Sequence, residues 1–254
     1  MLPSCVNGGG AASLLRLPGT PGLDREFELG SACAAALLPW RLRPGAIMTA
    51  VDPHNSCYRL RLTAMAPAPR GVPFARLARP AESPLAIEVY QALPEKERFE
   101  LLLQKLTELG VTRIVPVETA RSVTLAERDA IQRKSHRWPE VVRRAAIQCR
   151  RAMLPELYAP MPLAPALALA GAAGMKLIMY EGEAGLSIAA ALGSQRPSRV
   201  AVLVGPEGGF APAEITAARA AGFVAVTLGP RILRTETAAM AAAALLQGLA
   251  GDLA

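Results

Sequence analysis

Apolar positions follow two rhythms along this chain, and the change between them marks its organisation. From Gly45 to Leu62 short apolar runs alternate with polar residues around the turn signal Asp52-Pro53-His54-Asn55, the period of a small β region. Pro67, Pro69, Pro73, Pro80 and Pro84 then crowd a stretch without period, which predicts a linker and a domain boundary near residue 80. Beyond it, Leu85–Ala92 and Arg113–Val117 are strand-like. Phe99, Leu102, Leu103, Leu106 and Leu109 share one face of a helix predicted over Glu95–Leu109, with Gly110 at the stop position. A second helix is predicted over Trp138–Cys149, where Pro139 suits the first turn. Met175–Tyr180, Val200–Val204 and Phe223–Leu228 are short apolar runs of the kind buried on both faces of a parallel sheet. Helices are predicted over Pro212–Ala221 and Thr237–Ala250. The expected organisation is a small β domain over residues 1–80, irregular through its first 22 residues, and an α/β domain with a mostly parallel sheet over residues 81–254.

At 254 residues and 52% hydrophobic, the chain can bury a sizeable core. No apolar run reaches the roughly 18 residues that span a bilayer, and the start lacks a secretory signal pattern. A soluble, cytoplasmic protein without membrane contact is expected. Cys5, Cys33, Cys57 and Cys149 form no C-x-x-C pair, and His54 and His136 are the only histidines. Inert thiols are therefore expected rather than a disulfide framework, and no metal site. Net charge is +7 and unevenly spread: residues 1–80 carry nine Arg against four acids, and Arg113–Arg151 carry ten basic residues against four acids. Two basic regions suit a polyanion such as RNA, although only four of the 28 basic residues are Lys, so an arginine-biased surface fits equally well.

Two phrases near the end of the chain carry the candidate chemistry. Leu203-Val204-Gly205-Pro206-Glu207-Gly208-Gly209-Phe210 follows one apolar run, and Leu228-Gly229-Pro230-Arg231-Ile232-Leu233-Arg234-Thr235-Glu236-Thr237-Ala238 follows another. Ligands of open α/β sheets bind beyond the carboxyl ends of the strands, where glycine lets a ligand approach the backbone. The first phrase is neither G-x-G-x-x-G nor a P-loop, so a dinucleotide or nucleoside triphosphate site is disfavoured. In the second, Thr235 or Thr237 can cap the final helix, with Glu236 in its first turn. Arg234 beside a glycine turn calls for a carboxylate partner or a ligand.

In this order the motifs resemble the bacterial 16S rRNA uracil-N3 methyltransferase family of the SPOUT (trefoil-knot) superfamily. Further matches are Lys96-x-Arg98, Gln104-Lys105-x-x-Glu108-Leu109-Gly110, Arg121-Ser122-Val123, Gln148-Cys149 and Tyr180-Glu181-Gly182. The resemblance covers roughly residues 85–250. It implies a C-terminal α/β-knot methyltransferase domain, a small N-terminal PUA-like β-barrel that binds RNA, and a homodimer. It implies S-adenosyl-L-methionine as cofactor, held by Met179, Glu181, Leu203, Gly205, Glu207, Gly208, Gly209, Leu228, Gly229, Ile232, Leu233 and Thr237. Arg234, Glu236 and Arg231 are the expected catalytic residues, and 16S rRNA or the small ribosomal subunit the expected partner. The expected alternatives are another RNA target, tRNA or 23S rRNA, on the same fold, or an RNA-binding relic of the family with impaired catalysis.

Arg41, Arg43, Arg121, Arg150 and Arg151 are the expected RNA contacts, with Arg59, Arg61, Arg143 and Arg144 as further phosphate candidates. The first domain departs from the family pattern. No Arg-aromatic pair stands near the start, and Ala35 occupies the position of an expected His ahead of Pro39-Trp40-Arg41-Leu42-Arg43-Pro44-Gly45. Ile147 stands where a Glu is common, and Arg150 where a small residue is common.

Overall fold

The structure, a computed structural model, describes residues 4–66, 68–94, 98–131, 135–180 and 186–253. The chain builds two sheets. The smaller is antiparallel, with order β1-β4-β3-β2, from Phe27–Glu28 (β1), Ile47–Val51 (β2), Cys57–Ala64 (β3) and Arg70–Arg76 (β4). Helix α1 (Gly30–Leu37) covers it, and Leu15, Leu29, Cys33, Leu37, Met48, Leu60 and Leu62 form a core of their own.

Pro67 lies outside the described residues, and the prolines from 69 to 84 do not make a structureless linker. Pro73 lies within β4. Its carbonyl accepts from the Asp24 N–H on the side away from β3, so the N–H that proline lacks falls outside the β3 ladder.

The larger sheet is parallel throughout. Its strands are β5 (Ala86–Ala92), β6 (Arg113–Glu118), β7 (Glu156–Leu157), β8 (Met161–Pro162), β9 (Met175–Met179), β10 (Leu186–Ser187), β11 (Arg199–Val204) and β12 (Val224–Thr227), in the order β10-β12-β9-β11-β5-β6-β7 with β8 also on β6. Its inner strands are apolar on both sides. Ile87, Val89, Leu177, Val200 and Val202 pack toward α2 (Arg98–Glu108), α4 (Trp138–Gln148), α6 (Ile188–Leu192) and α8 (Thr235–Ala250). Tyr90, Val115, Ile178, Ala201 and Leu203 pack toward α5 (Leu163–Leu169) and α7 (Pro212–Ala220). Helix α3 (Leu125–Ile131) follows β6. Glu88, buried in the sheet, is paired with Arg113 at 2.8 Å and Arg199 at 3.6 Å, as an interior charge requires.

Helix α2 carries the predicted apolar face and stops as predicted. Gly110 has φ +76°, and the Val111 N–H returns to the Leu106 carbonyl, which closes the helix end. A side chain at Gly110 would also meet Gln247 Nε2 at 2.7 Å.

Steps in one direction across the sheet, β5 to β6 and β10 to β11, run through α2 and α6 on one face. Steps in the other direction, β8 to β9 and β11 to β12, run through α5 and α7 on the opposite face. All four crossovers therefore share one hand, as parallel crossovers do. The chain leaves β5 and β11 toward opposite faces, which opens a crevice at their carboxyl ends, where α/β sheets bind ligands.

Residues 5–10, though irregular as expected, belong to the larger sheet's edge. Cys5 bridges Tyr158, the Val6 and Gly10 N–H groups donate to the Leu157 and Leu154 carbonyls, and Asn7 donates to the Pro155 carbonyl. The two sheets also meet where Trp40 packs on Ala146 and Leu154, and where Arg59 and Thr49 donate to the Arg150 carbonyl.

Candidate active site

Three strand ends line up at the crevice, with Val204 of β11 in register with Gln91 of β5 and Met179 of β9. After Val204 the chain makes a tight glycine turn. A side chain at Gly205 would meet the Phe210 ring at 3.0 Å, and one at Gly208 would meet Arg121 at 3.3 Å. Gly209 has φ +67°, a conformation L side chains avoid. The turn is braced from outside. Arg121 donates to the Gly208 carbonyl at 2.9 Å, and the Glu214 carboxylate accepts from the Ala211 and Ala120 N–H groups, both at 2.8 Å. The result is a cradle walled by backbone. Leu203 itself is 1% exposed and packs into the α5–α7 core, so only its backbone can serve a ligand.

The second loop leaves β12 through Gly229, at φ +105°. Leu228 and Leu233 are half-buried, while Arg231, Ile232, Arg234 and Thr237 are exposed, Ile232 by 81%. Arg231 and Arg234 form no ion pair among the described residues, so the carboxylate partner expected of Arg234 is not there. Glu181 and Gly182, expected in the third loop, and Lys96 lie outside the described residues.

Neither threonine caps α8, which starts at Thr235 with Arg234 as its cap residue and no side-chain cap bond. The reason is that the Thr235 hydroxyl is engaged elsewhere. It donates to the Gly205 carbonyl at 2.5 Å and accepts from Gln91 Nε2 at 2.8 Å. Next to it Glu236 is buried, and its Oε2 finds no hydrogen-bond partner among the described residues; Gln91 Oε1 is likewise buried and unpaired. An unanswered buried acceptor is costly, and two of them at one strand end fit a ligand that brings donors. Arg98 of α2 reaches Glu207 at 3.5 Å and Glu236 at 3.7 Å.

The basic candidates separate. Arg41, Arg43, Arg121 and Arg150 are exposed, and Arg41 and Arg150 are each held at positive φ, +49° and +59°. Arg151 is 5% exposed; its guanidinium binds Glu82 and the Thr107 and Val111 carbonyls. Those bonds use its donors in the interior, so Arg151 is a structural residue and not a phosphate contact. Arg59 and Arg143 are occupied by the Arg150 and Trp40 carbonyls, Arg144 pairs with Glu140, and Arg61 is exposed. Among the described residues no group of acids, His and Cys could hold a metal, and all four cysteines are unbridged.

Sequence reasoning missed Gln91, Thr235's role as a tie, and the part Arg98 plays at the site, although Arg98 stood in a matched motif. A signal existed for Gln91 too, a lone amide in an apolar strand.

Known proteins agree with this arrangement. Residues 81–247 match the family model of the RNA methyltransferase domain. Ribosomal RNA small subunit methyltransferase E of Mycobacterium bovis is 38% identical over 211 residues, covering 80% of this chain and 78% of that protein. The Bacillus subtilis protein of the same name is 32% identical over 164 residues, covering 62% and 63%. The crystal structure of a ribosomal RNA small subunit methyltransferase E from Neisseria gonorrhoeae bound to S-adenosyl methionine superimposes with a TM-score of 0.65 at 33% identity, over 94% of this chain and 98% of that one. The family model spans the glycine cradle and the crevice, and the similarity to these proteins extends over most of the chain, so the chain belongs to the RNA methyltransferase family that includes ribosomal RNA small subunit methyltransferase E.

Proposed function

We propose that this protein methylates N3 of a uridine in 16S rRNA of the small ribosomal subunit, using S-adenosyl-L-methionine, and that it does so in the cytoplasm as a homodimer. The observation that carries the reading is the pairing of a backbone-walled glycine cradle, Gly205–Gly209, with buried unpaired acceptors on Gln91 and Glu236 beside it. The relatives of this chain are rRNA methyltransferases by name.

The cofactor fits the residues present. At Gly209 and Gly229 the Cβ positions meet nothing within 4 Å, so the backbone there and at Gly205, Gly208, Leu203 and Leu228 can face a ligand, with Met179, Ile232 and Leu233 supplying apolar contact. Bound there, it supplies a sulfonium methyl group as the electrophile. The protein's part is to align N3 with that methyl and to help N3 lose its proton. If the imide ionises about two pH units above neutral, that costs about 3 kcal/mol. A cation aimed at a uracil carbonyl offsets it, and Arg234 and Arg231, exposed at the rim, are the residues for that role.

The small basic sheet with α1 is the RNA-docking arm, PUA-like in kind, and Arg41, Arg43, Arg121 and Arg150 contact phosphate. With aromatics at only 4% of residues, recognition rests on RNA shape and phosphates rather than on base stacking. A trefoil knot of the SPOUT kind is the topology this reading assigns to the larger domain. Mass spectrometry of 16S rRNA nucleosides from cells with and without the protein tests the function: N3-methyluridine disappears when the protein is removed, and its persistence would refute the reading.

A further inference from the structure

Two acids, Glu236 and Glu207, stand at the crevice, and the structure distinguishes them. The Glu236 side chain is 11% exposed and that of Glu207 is 33% exposed. The Glu236 carboxylate is split in use: Oε1 faces Arg98 at 3.7 Å, and Oε2 is buried with no hydrogen-bond partner among the described residues. Its neighbour Thr235 is tied to Gly205 and Gln91, so the start of α8 is fixed against the cradle. The Arg98 guanidinium bridges acids from two other segments, the first turn of α8 and the loop after β11, and so holds the Glu236 carboxylate in place.

We propose that Glu236 is the proton acceptor of methyl transfer and that Arg98 is its positioning residue. The assignment rests on the proposed uridine-N3 reading. In the step, the N3–H bond breaks and its proton passes to Glu236 Oε2. The N3 electron pair forms the new N–CH3 bond, and the pair of the broken C–S bond stays on sulfur, which leaves as a neutral thioether. The proton then returns to solvent from the carboxylic acid. Arg98 holds Glu236 through Oε1 and leaves Oε2 free of protein partners among the described residues, while its contact with Glu207 anchors the guanidinium. Among the described residues, the charged groups paired around Glu236 are Arg98 of α2 and, across it, Glu207 of the glycine loop.

The test compares wild type with Glu236→Gln, Glu207→Gln, Arg98→Gln and Arg98→Lys. The substrate is small-subunit RNA, and the readouts are kcat and KM, together with calorimetric affinity for S-adenosylmethionine. Glu236→Gln is expected to lower kcat by about 100-fold or more, the usual worth of a general base, with cofactor affinity held within about threefold. Arg98→Gln frees the carboxylate that Arg98 holds, so kcat is expected to fall about tenfold while KM and cofactor affinity stay within about threefold, and Arg98→Lys to restore part of that loss. A merely structural Arg98 would lower stability and cofactor affinity along with kcat. The inference is overturned if Glu207→Gln, and not Glu236→Gln, abolishes kcat, or if Arg98→Gln leaves kcat at the wild-type value. A wild-type protein that forms no N3-methyluridine would instead overturn the proposed function itself.

Discussion

The Thr235 hydroxyl donates to the carbonyl of Gly205, thirty residues earlier, while accepting from the amide of Gln91. One side chain thus links the ends of β5 and β11 to the start of α8, and the cradle and Glu236 move as a unit. Thr235→Val keeps the shape but leaves a carbonyl and an amide unanswered, a cost of about 1–3 kcal/mol. Urea denaturation is expected to read that loss, and calorimetry a weaker grip on S-adenosylmethionine; Thr235→Ser should retain most of both.

Gly209→Ala places a Cβ on backbone at φ +67°, which costs about 1–2 kcal/mol. The strain falls on the cradle rather than on the core. The expected outcome is a cofactor affinity reduced by about tenfold with a melting temperature lowered by only a few degrees, measured by calorimetry and thermal unfolding.

Arg150 and Arg151, adjacent in sequence, should behave oppositely. Arg151→Ala leaves Glu82 without its bidentate partner in a buried setting, which costs about 3–5 kcal/mol and shows in denaturation. Arg150→Ala should leave stability nearly unchanged and reduce the salt slope of RNA binding by about one, measured by filter binding across ionic strength.

Acid should weaken α4 through Glu140. The Arg143 and Arg144 guanidinium groups, Arg143 foremost and against the opposing effect of burial, hold its carboxyl down at about 2 from an ordinary 4.5. A depressed carboxyl stabilises the fold at pH above its unfolded value and loses that contribution as pH falls toward 2. The group is one-third exposed, so solvent reduces the effect to about 1 kcal/mol or less. Glu140→Gln should therefore lie below wild type in stability at pH 7, and the gap should narrow through pH 4 and pH 3 in chemical denaturation.

Much of this fold was legible because burial leaves a rhythm. The runs at Leu85–Ala92, Val200–Val204 and Phe223–Leu228 became inner strands β5, β11 and β12, within a residue or so at each end, and Phe99 to Leu106 became the buried face of α2. Where backbone rather than side chains does the pairing, no rhythm exists. Residues 5–10 join the sheet edge through N–H groups of Val6 and Gly10, and composition there says only Gly and Asn. Pro73 misled because a proline can sit in a strand when its missing donor faces away from the neighbour. Thr235 looked like a cap since a threonine before a helical run is locally sufficient for one; only the distant Gly205 carbonyl decides otherwise. Arg150 and Arg151 cannot be told apart by charge, because what separates them is Glu82, nearly seventy residues away.

The small sheet hangs between two moorings. Its chain enters from the segment zipped along β7 and leaves into β5, so it is fixed at both ends rather than swinging from one hinge. A unit fastened twice works as a caliper. On the proposed function, the span between Arg41 at one jaw and Glu236 at the other would be set in the protein before any RNA arrives. A target would then be chosen by the distance between its phosphate ridge and its exposed uridine, a length that only a correctly folded RNA presents.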